Sequence, residues 1–256
     1  MKNNKPLRIL AGFVGLALII FLLIVTMSFT GNPISKLLAT RAADKYVEDN
    51  YSDLNLRRQE TAFEFKRGDY IVKYYKKNSQ DIHFGIETNY LGKVTIDGYE
   101  NGVLGKWNTL VRLNDELDTY ADRIIRDNLD YDFDLILAES FGNATEEEIA
   151  SKLEIDMLFD FENLPLDNNV TIYIYEEDRT WDRLAQVILE VNEVMEENNI
   201  DITHYSIILE EPREDGDPAG HSLGVYEFPR EDLDSENLLQ DLEKHFEEWN
   251  RRMEGL

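Results

Sequence analysis

The chain has 256 residues, 26 Lys+Arg against 52 Asp+Glu, and no cysteine. The missing cysteine excludes disulfides, thiolate-ligated metals, Cys nucleophiles and an acylated lipoprotein anchor. A net charge of −26 opposes binding of DNA, RNA or anionic lipid over a broad surface, while 12 Phe and 13 Tyr mark a chain that folds.

Residues 1–8 form a short tail holding Lys2, Lys5 and Arg8. Residues 9–29 follow with no charged side chain, and 14 of these 21 are Leu, Ile, Val or Phe. As a helix this run spans about 31 Å, the thickness of a bilayer's hydrocarbon core. Its aliphatic and Phe residues favour insertion by about 4–8 kcal/mol. A cleaved signal peptide has a shorter apolar region and small residues at its cleavage site. Here the run is long and ends in Ser28-Phe29-Thr30, so a retained transmembrane helix is expected, with the bilayer as its partner. The basic tail places the N-terminus in the cytoplasm and everything after Gly31 outside it, at the cell membrane.

Charge then divides the exterior. Residues 34–110 carry 12 basic against 11 acidic side chains, whereas residues 111–256 carry 11 against 41. This predicts a near-neutral membrane-proximal α+β domain over 31–105 and an acidic distal α+β domain over 106–256. Pro33 starts a helix in the proximal domain, with stripes at Leu38, Ala42, Tyr46 and at Ala43, Val47, Tyr51. Three alternating runs follow, around Ala62–Lys66, Tyr70–Tyr75 and Ile82–Ile86, with a turn at Arg67-Gly68-Asp69. A helix on an antiparallel meander, in cystatin-like or PepSY-like outline, is the expected shape.

A second helix is predicted over Trp107–Asn128 and a strand over Tyr131–Leu137. A short helix capped by Asn143 or Thr145 comes next. The distal domain then reads as a ββαββα core. Strands at Leu153–Phe159 and Val170–Tyr175 precede a helix from Thr180 to Glu197. Strands at His204–Leu209 and Leu223–Phe228 precede a helix from Asp234 to Arg252. Two layers are expected, with the helices on one face of the sheet.

No nucleotide-binding loop or nucleophile elbow is present, and the four histidines stand at no metal-ligand spacing. No catalytic residue and no cofactor are expected. Carboxylates cluster at Asp130, Asp132 and Asp134 and, in a loop, at Asp215 and Asp217, as a hard cation would need. Strand parity sets Tyr173, Tyr175, Tyr226 and Phe228 on the sheet face away from the helices. Such an aromatic patch suits a binding surface.

Four stretches stand out: Gly31-Asn32-Pro33-Ile34-Ser35, Asn78-Ser79-Gln80-Asp81-Ile82-His83-Phe84, Tyr173-Ile174-Tyr175-Glu176-Glu177 and Gly224-Val225-Tyr226-Glu227-Phe228-Pro229-Arg230. They resemble the YfjL-like proteins of Gram-positive bacteria. The resemblance implies a membrane-anchored protein, fits the absence of cysteine, and carries over no functional residue. The reading reached is a single-pass extracytoplasmic interaction module. Its expected partner is another membrane or cell-surface protein, with no nucleic acid. The alternatives are a divalent-cation-responsive envelope sensor and a carboxylate-dependent hydrolase.

Overall fold

The computed structural model describes residues 5–140, 145–212 and 221–255. The fold is α+β, with a long apolar helix and two four-stranded sheets. The chain divides into two compact units at Gly105/Lys106.

The first unit begins with α1 (Lys5–Thr30), the one helix among the described residues long and apolar enough to cross a membrane. Its large side chains are exposed on all sides, from Leu10 at 59% to Phe29 at 66%. Water does not tolerate such a surface on a soluble helix. The hydroxyls of Thr26, Ser28 and Thr30 each donate to the carbonyl four residues back, the pairing that makes hydroxyls acceptable in lipid.

Only Gly31 and Asn32 separate α1 from α2 (Pro33–Tyr51). The Asn32 side chain accepts from the Ile34 amide, and Pro33 occupies the first turn, so the helix start is locally encoded. The buried stripe is Ala39, Ala43 and Val47. Small residues bring α2 close to the meander of β1 (Arg57–Glu64), β2 (Asp69–Tyr75), β3 (His83–Thr88) and β4 (Val94–Asp97). The core between them holds Tyr70, Val72, Tyr74, Phe84 and Ile86. Asp44 accepts from the Tyr74 hydroxyl, and Asp97 accepts from those of Tyr46 and Tyr51. The fourth strand is an addition to the three alternating runs of the sequence; it spans four residues, too short for periodicity to stand out.

Gly31 adopts a φ of +77°, and a Cβ there would lie 2.8 Å from both the Phe63 ring and the Tyr70 hydroxyl. Gly31→Ala is therefore expected to cost at least about 1–2 kcal/mol, the left-handed penalty alone. Thermal unfolding of the detergent-solubilised chain checks it; an unchanged midpoint would contradict the crowding.

The second unit opens with α3 (Trp107–Asn128), whose buried face is Thr109, Leu110, Leu113, Leu117, Ala121 and Ile125. Then come β5 (Phe133–Ser140), α4 (Glu146–Lys152), β6 (Asn168–Tyr175), α5 (Trp181–Glu197), β7 (His204–Glu210), β8 (Ser222–Pro229) and α6 (Leu238–Glu254). The sheet order is β5-β6-β7-β8. β6 and β7 run parallel across the α5 crossover, and the outer strands are antiparallel. Residues of α3, α5 and α6 join the strands in one core. Thr145 caps α4 in a reciprocal pair with Glu148; Asn143, the other expected cap, lies outside the described residues.

One expected strand is absent. Leu153–Phe159 contains turns instead, and Asp156 sits at φ +61°, a left-handed conformation that breaks an extended run. Its apolar residues still find a core. Leu153 packs with Leu110, Leu113, Ile149 and Leu166, with Met157 and Phe159 alongside. The fourth strand of the sheet is β5, so the two halves are not the repeated ββα units that the spacing suggested.

Helix side chains bond to part of each edge of this sheet. On β5, Asp118 accepts from the Ala138 amide at 2.9 Å and Asn114 from the Ser140 amide at 3.0 Å. On β8, His245 Nε2 lies 2.8 Å from the Tyr226 carbonyl. Edges occupied in this way resist pairing with a further strand.

Candidate functional site

The second sheet's other face carries its own row of side chains, among which Ile208 is 1% exposed. Along β6, Val170, Ile172 and Ile174 are buried toward the helices, while Thr171, Tyr173 and Tyr175 are half-buried on the far side. Register carries this face across the sheet. Leu135, 44% exposed, pairs with Tyr173; Tyr173 pairs with Ile208, and Ile208 with Gly224. Tyr226 joins them through a hydrogen bond with Tyr173. Burial, helped by that bond and by nearby Glu210, pushes the Tyr226 phenol pKa upward. The Trp249 ring stacks on Tyr226 with centroids 5.6 Å apart. Tyr175 donates to Asp134 at 2.8 Å.

Three of the four expected aromatic residues, Tyr173, Tyr175 and Tyr226, therefore share the outer face. Phe228 does not. It is 1% exposed within the helix-side core, edge-on to His245 at 5.3 Å. The cause is a β-bulge. Tyr205 pairs with Phe228 and Ile207 with Val225, so Tyr226 and Glu227 together oppose Ser206. Glu227 takes a φ of +50° there. Ser206 holds the bulge by accepting from the Glu227 amide at 2.9 Å and donating to Asn169 at 3.1 Å. One extra residue reverses the alternation and returns Phe228 to the core.

Asp130, Asp132 and Asp134 are all exposed, and β5 begins only at Phe133. Asp134 is engaged by Tyr175, and Asp132 gives its backbone carbonyl to the Tyr175 amide. Asp215 and Asp217 lie outside the described residues. Among the described residues no group of three His, Asp or Glu side chains is placed to hold a metal ion.

Beside the end of β6, Tyr131 donates to Glu190, Gln186 donates to the other oxygen of Glu190, and Arg183 lies over the Tyr131 ring while pairing with Glu176. The bond from Tyr131 holds the Glu190 carboxyl below its usual range. Burial and that same bond push Tyr131 up to about 12. A tyrosine raised in the folded state stabilises below its ordinary value of 10.0 and loses that contribution as pH rises through about 12. The stability gap between wild type and Tyr131→Phe is therefore expected to shrink across that window. Urea unfolding at stepped alkaline pH measures it; a constant gap would remove the bond from the account.

A groove of about 550 Å³ opens beside the start of β7. Arg230 reaches Glu196 at 2.8 Å and Asp201 at 3.8 Å there, so Asp167, Glu231 and Asp234 leave the groove acidic in character. Thr203 Oγ1 donates to the Asn168 carbonyl and lies 3.0 Å from His204 Nδ1. Sequence reading assigned Arg230 and His204 no role. They are isolated along the chain, and only the pairing of β7 with β8 brings them together.

Two family descriptions match: a YfjL-like N-terminal domain over residues 6–98 and a YfjL-like C-terminal domain over residues 116–243. Neither a curated protein nor a solved structure matches the chain.

Proposed function

Since the chain belongs to the YfjL-like family and carries both of its domains, we propose that it is a single-pass protein of the cell membrane of a Gram-positive bacterium, with both folded units outside the cytoplasm. There it serves as a non-catalytic module that binds another membrane or cell-surface protein. The observation that carries this reading is α1, whose residues 9–29 hold no charge and whose large apolar side chains are exposed on every side. Lys2, Lys5 and Arg8, ahead of the apolar run at 9–29, favour a cytoplasmic N-terminus.

The outer sheet face supports the binding role. Tyrosines supply large, stiff contact area with a polar tip, and here they flank the exposed Leu135. The occupied sheet edges disfavour strand addition, so a partner is expected to lie across the face.

Protease added to protoplasts tests the compartment: the intact chain should disappear without lysis, and survival until lysis would refute it. A photo-crosslinking residue at Tyr173 tests the face in living cells. It should capture a defined membrane or surface protein that the same residue at Glu247, exposed on α6, does not. Equal capture from both positions would rule the face out.

A further inference from the structure

We infer that the end of the first unit facing α1 is seated in the lipid interface of the bilayer that α1 crosses, with Ile34, Leu37, Phe65 and Leu91 as apolar contacts and Lys66 and Lys93 at the headgroups. This rests on the reading of α1 as a membrane anchor. The apolar run ends at Phe29, and its length matches the hydrocarbon core, so Phe29 marks the outer boundary of the oil. The Phe65 ring, on the turn between β1 and β2, lies 6.3 Å from the Phe29 ring. Phe65 is therefore at the depth of that boundary and not in bulk water.

The junction leaves no slack to lift the unit away. Gly31 is buried, with the Phe63 ring and Tyr70 hydroxyl against it. The Asn32 amide donates to the Tyr70 hydroxyl at 2.7 Å, and that hydroxyl donates to the Asn32 carbonyl at 3.1 Å. Strand register then brings the other contacts to this same end. Glu64 pairs with Asp69, Tyr70 with Thr88 and Thr88 with Val94, so the β1–β2 and β3–β4 turns lie side by side. Gly92 sits against Leu38 of α2; a Cβ there would be 3.0 Å from the Leu38 carbonyl.

The exposed apolar side chains are concentrated here. Ile34 is 69% exposed, Leu37 50%, Leu38 42%, Phe65 55%, Tyr90 60% and Leu91 66%. Among the described residues of this unit outside α1, only Ile96 and Leu104 are large, apolar and equally exposed elsewhere. The turn at the opposite end, residues 76–82, holds no exposed large apolar residue. Water would leave these six side chains wet at a cost, whereas the interface takes Phe, Leu and Tyr favourably and lets Lys side chains reach outward to phosphate. Leu38, at the head of the apolar stripe with Ala42 and Tyr46, stays 42% exposed, and its exposure has its reason in the membrane.

The absence of cysteine makes single-cysteine labelling direct. The full chain is reconstituted in vesicles of phosphatidylcholine with a minor share of phosphatidylglycerol. A polarity-sensitive fluorophore is placed at Phe65→Cys, Leu91→Cys or Lys77→Cys, all exposed positions. Labels at 65 and 91 should emit to the blue of the label at 77 and lose most of their intensity to a lipid-borne quencher near the headgroups. The label at 77 should lose little. If the chain resists alkaline carbonate extraction yet all three labels are equally wet, the seat is overturned and the anchor stands. If carbonate strips the chain from the vesicles, the anchor reading falls and the seat with it.

Discussion

Phe228→Ala is expected to destabilise the second unit by about 3–5 kcal/mol, the cost of emptying a buried aromatic site. Phe228 is 1% exposed among helix-side core residues, and His245 packs edge-on against its ring. Tyr173→Ala, on the other face, is expected to cost clearly less, about 1 kcal/mol, because its side chain is only half-buried. Urea unfolding of both variants in detergent separates the two faces. Equal losses would mean that the bulge at Tyr226-Glu227 does not turn Phe228 inward.

Asn168→Ala should cost about 2–4 kcal/mol through a different route, the stranding of buried backbone groups. Asn168 is fully buried where β6 begins. Its amide nitrogen donates to the Asp201 carbonyl at 2.9 Å, and its oxygen accepts from the Thr203 amide at 3.2 Å. The backbone closes a second loop, with the Asn168 amide donating to Thr203 Oγ1 and that hydroxyl donating to the Asn168 carbonyl. The clamp sets where β7 starts and therefore holds His204 and the wall of the acidic groove. Asn168→Asp keeps the acceptor for Thr203 but sets a buried carboxylate oxygen against the Asp201 carbonyl, so a loss at least as large is expected. Hydrogen exchange at Thr203 is the direct check: its amide should lose protection in the alanine variant, and full protection would refute the clamp.

The parts of the fold that were legible early are those fixed by neighbours along the chain. α3 spans Trp107–Asn128 as its apolar repeat predicted, and α5 starts after Thr180, whose hydroxyl accepts from the Arg183 amide. The aromatic face was legible wherever alternation ran unbroken, as it does through β6. It failed at Phe228, where two residues oppose one, and at Leu153–Phe159, where a left-handed Asp156 interrupts an otherwise strand-like pattern. Both failures have one origin. A period of two is counted within a single segment, but a bulge or turn is stabilised by partners elsewhere, such as Ser206 beneath Glu227.

An apolar stretch long enough for a bilayer, the change from balanced to acidic charge along the chain, and the helix starts near Pro33 and Thr180 could be settled from residue order. They depend on length, composition and contacts within a turn or two. Which side of the sheet receives Phe228, how its edges are met by helix side chains, and how Phe65, Leu91 and the first turns of α2 gather beside the end of α1 required the folded chain. Those outcomes rest on pairings between residues tens of positions apart, and no local pattern encodes them.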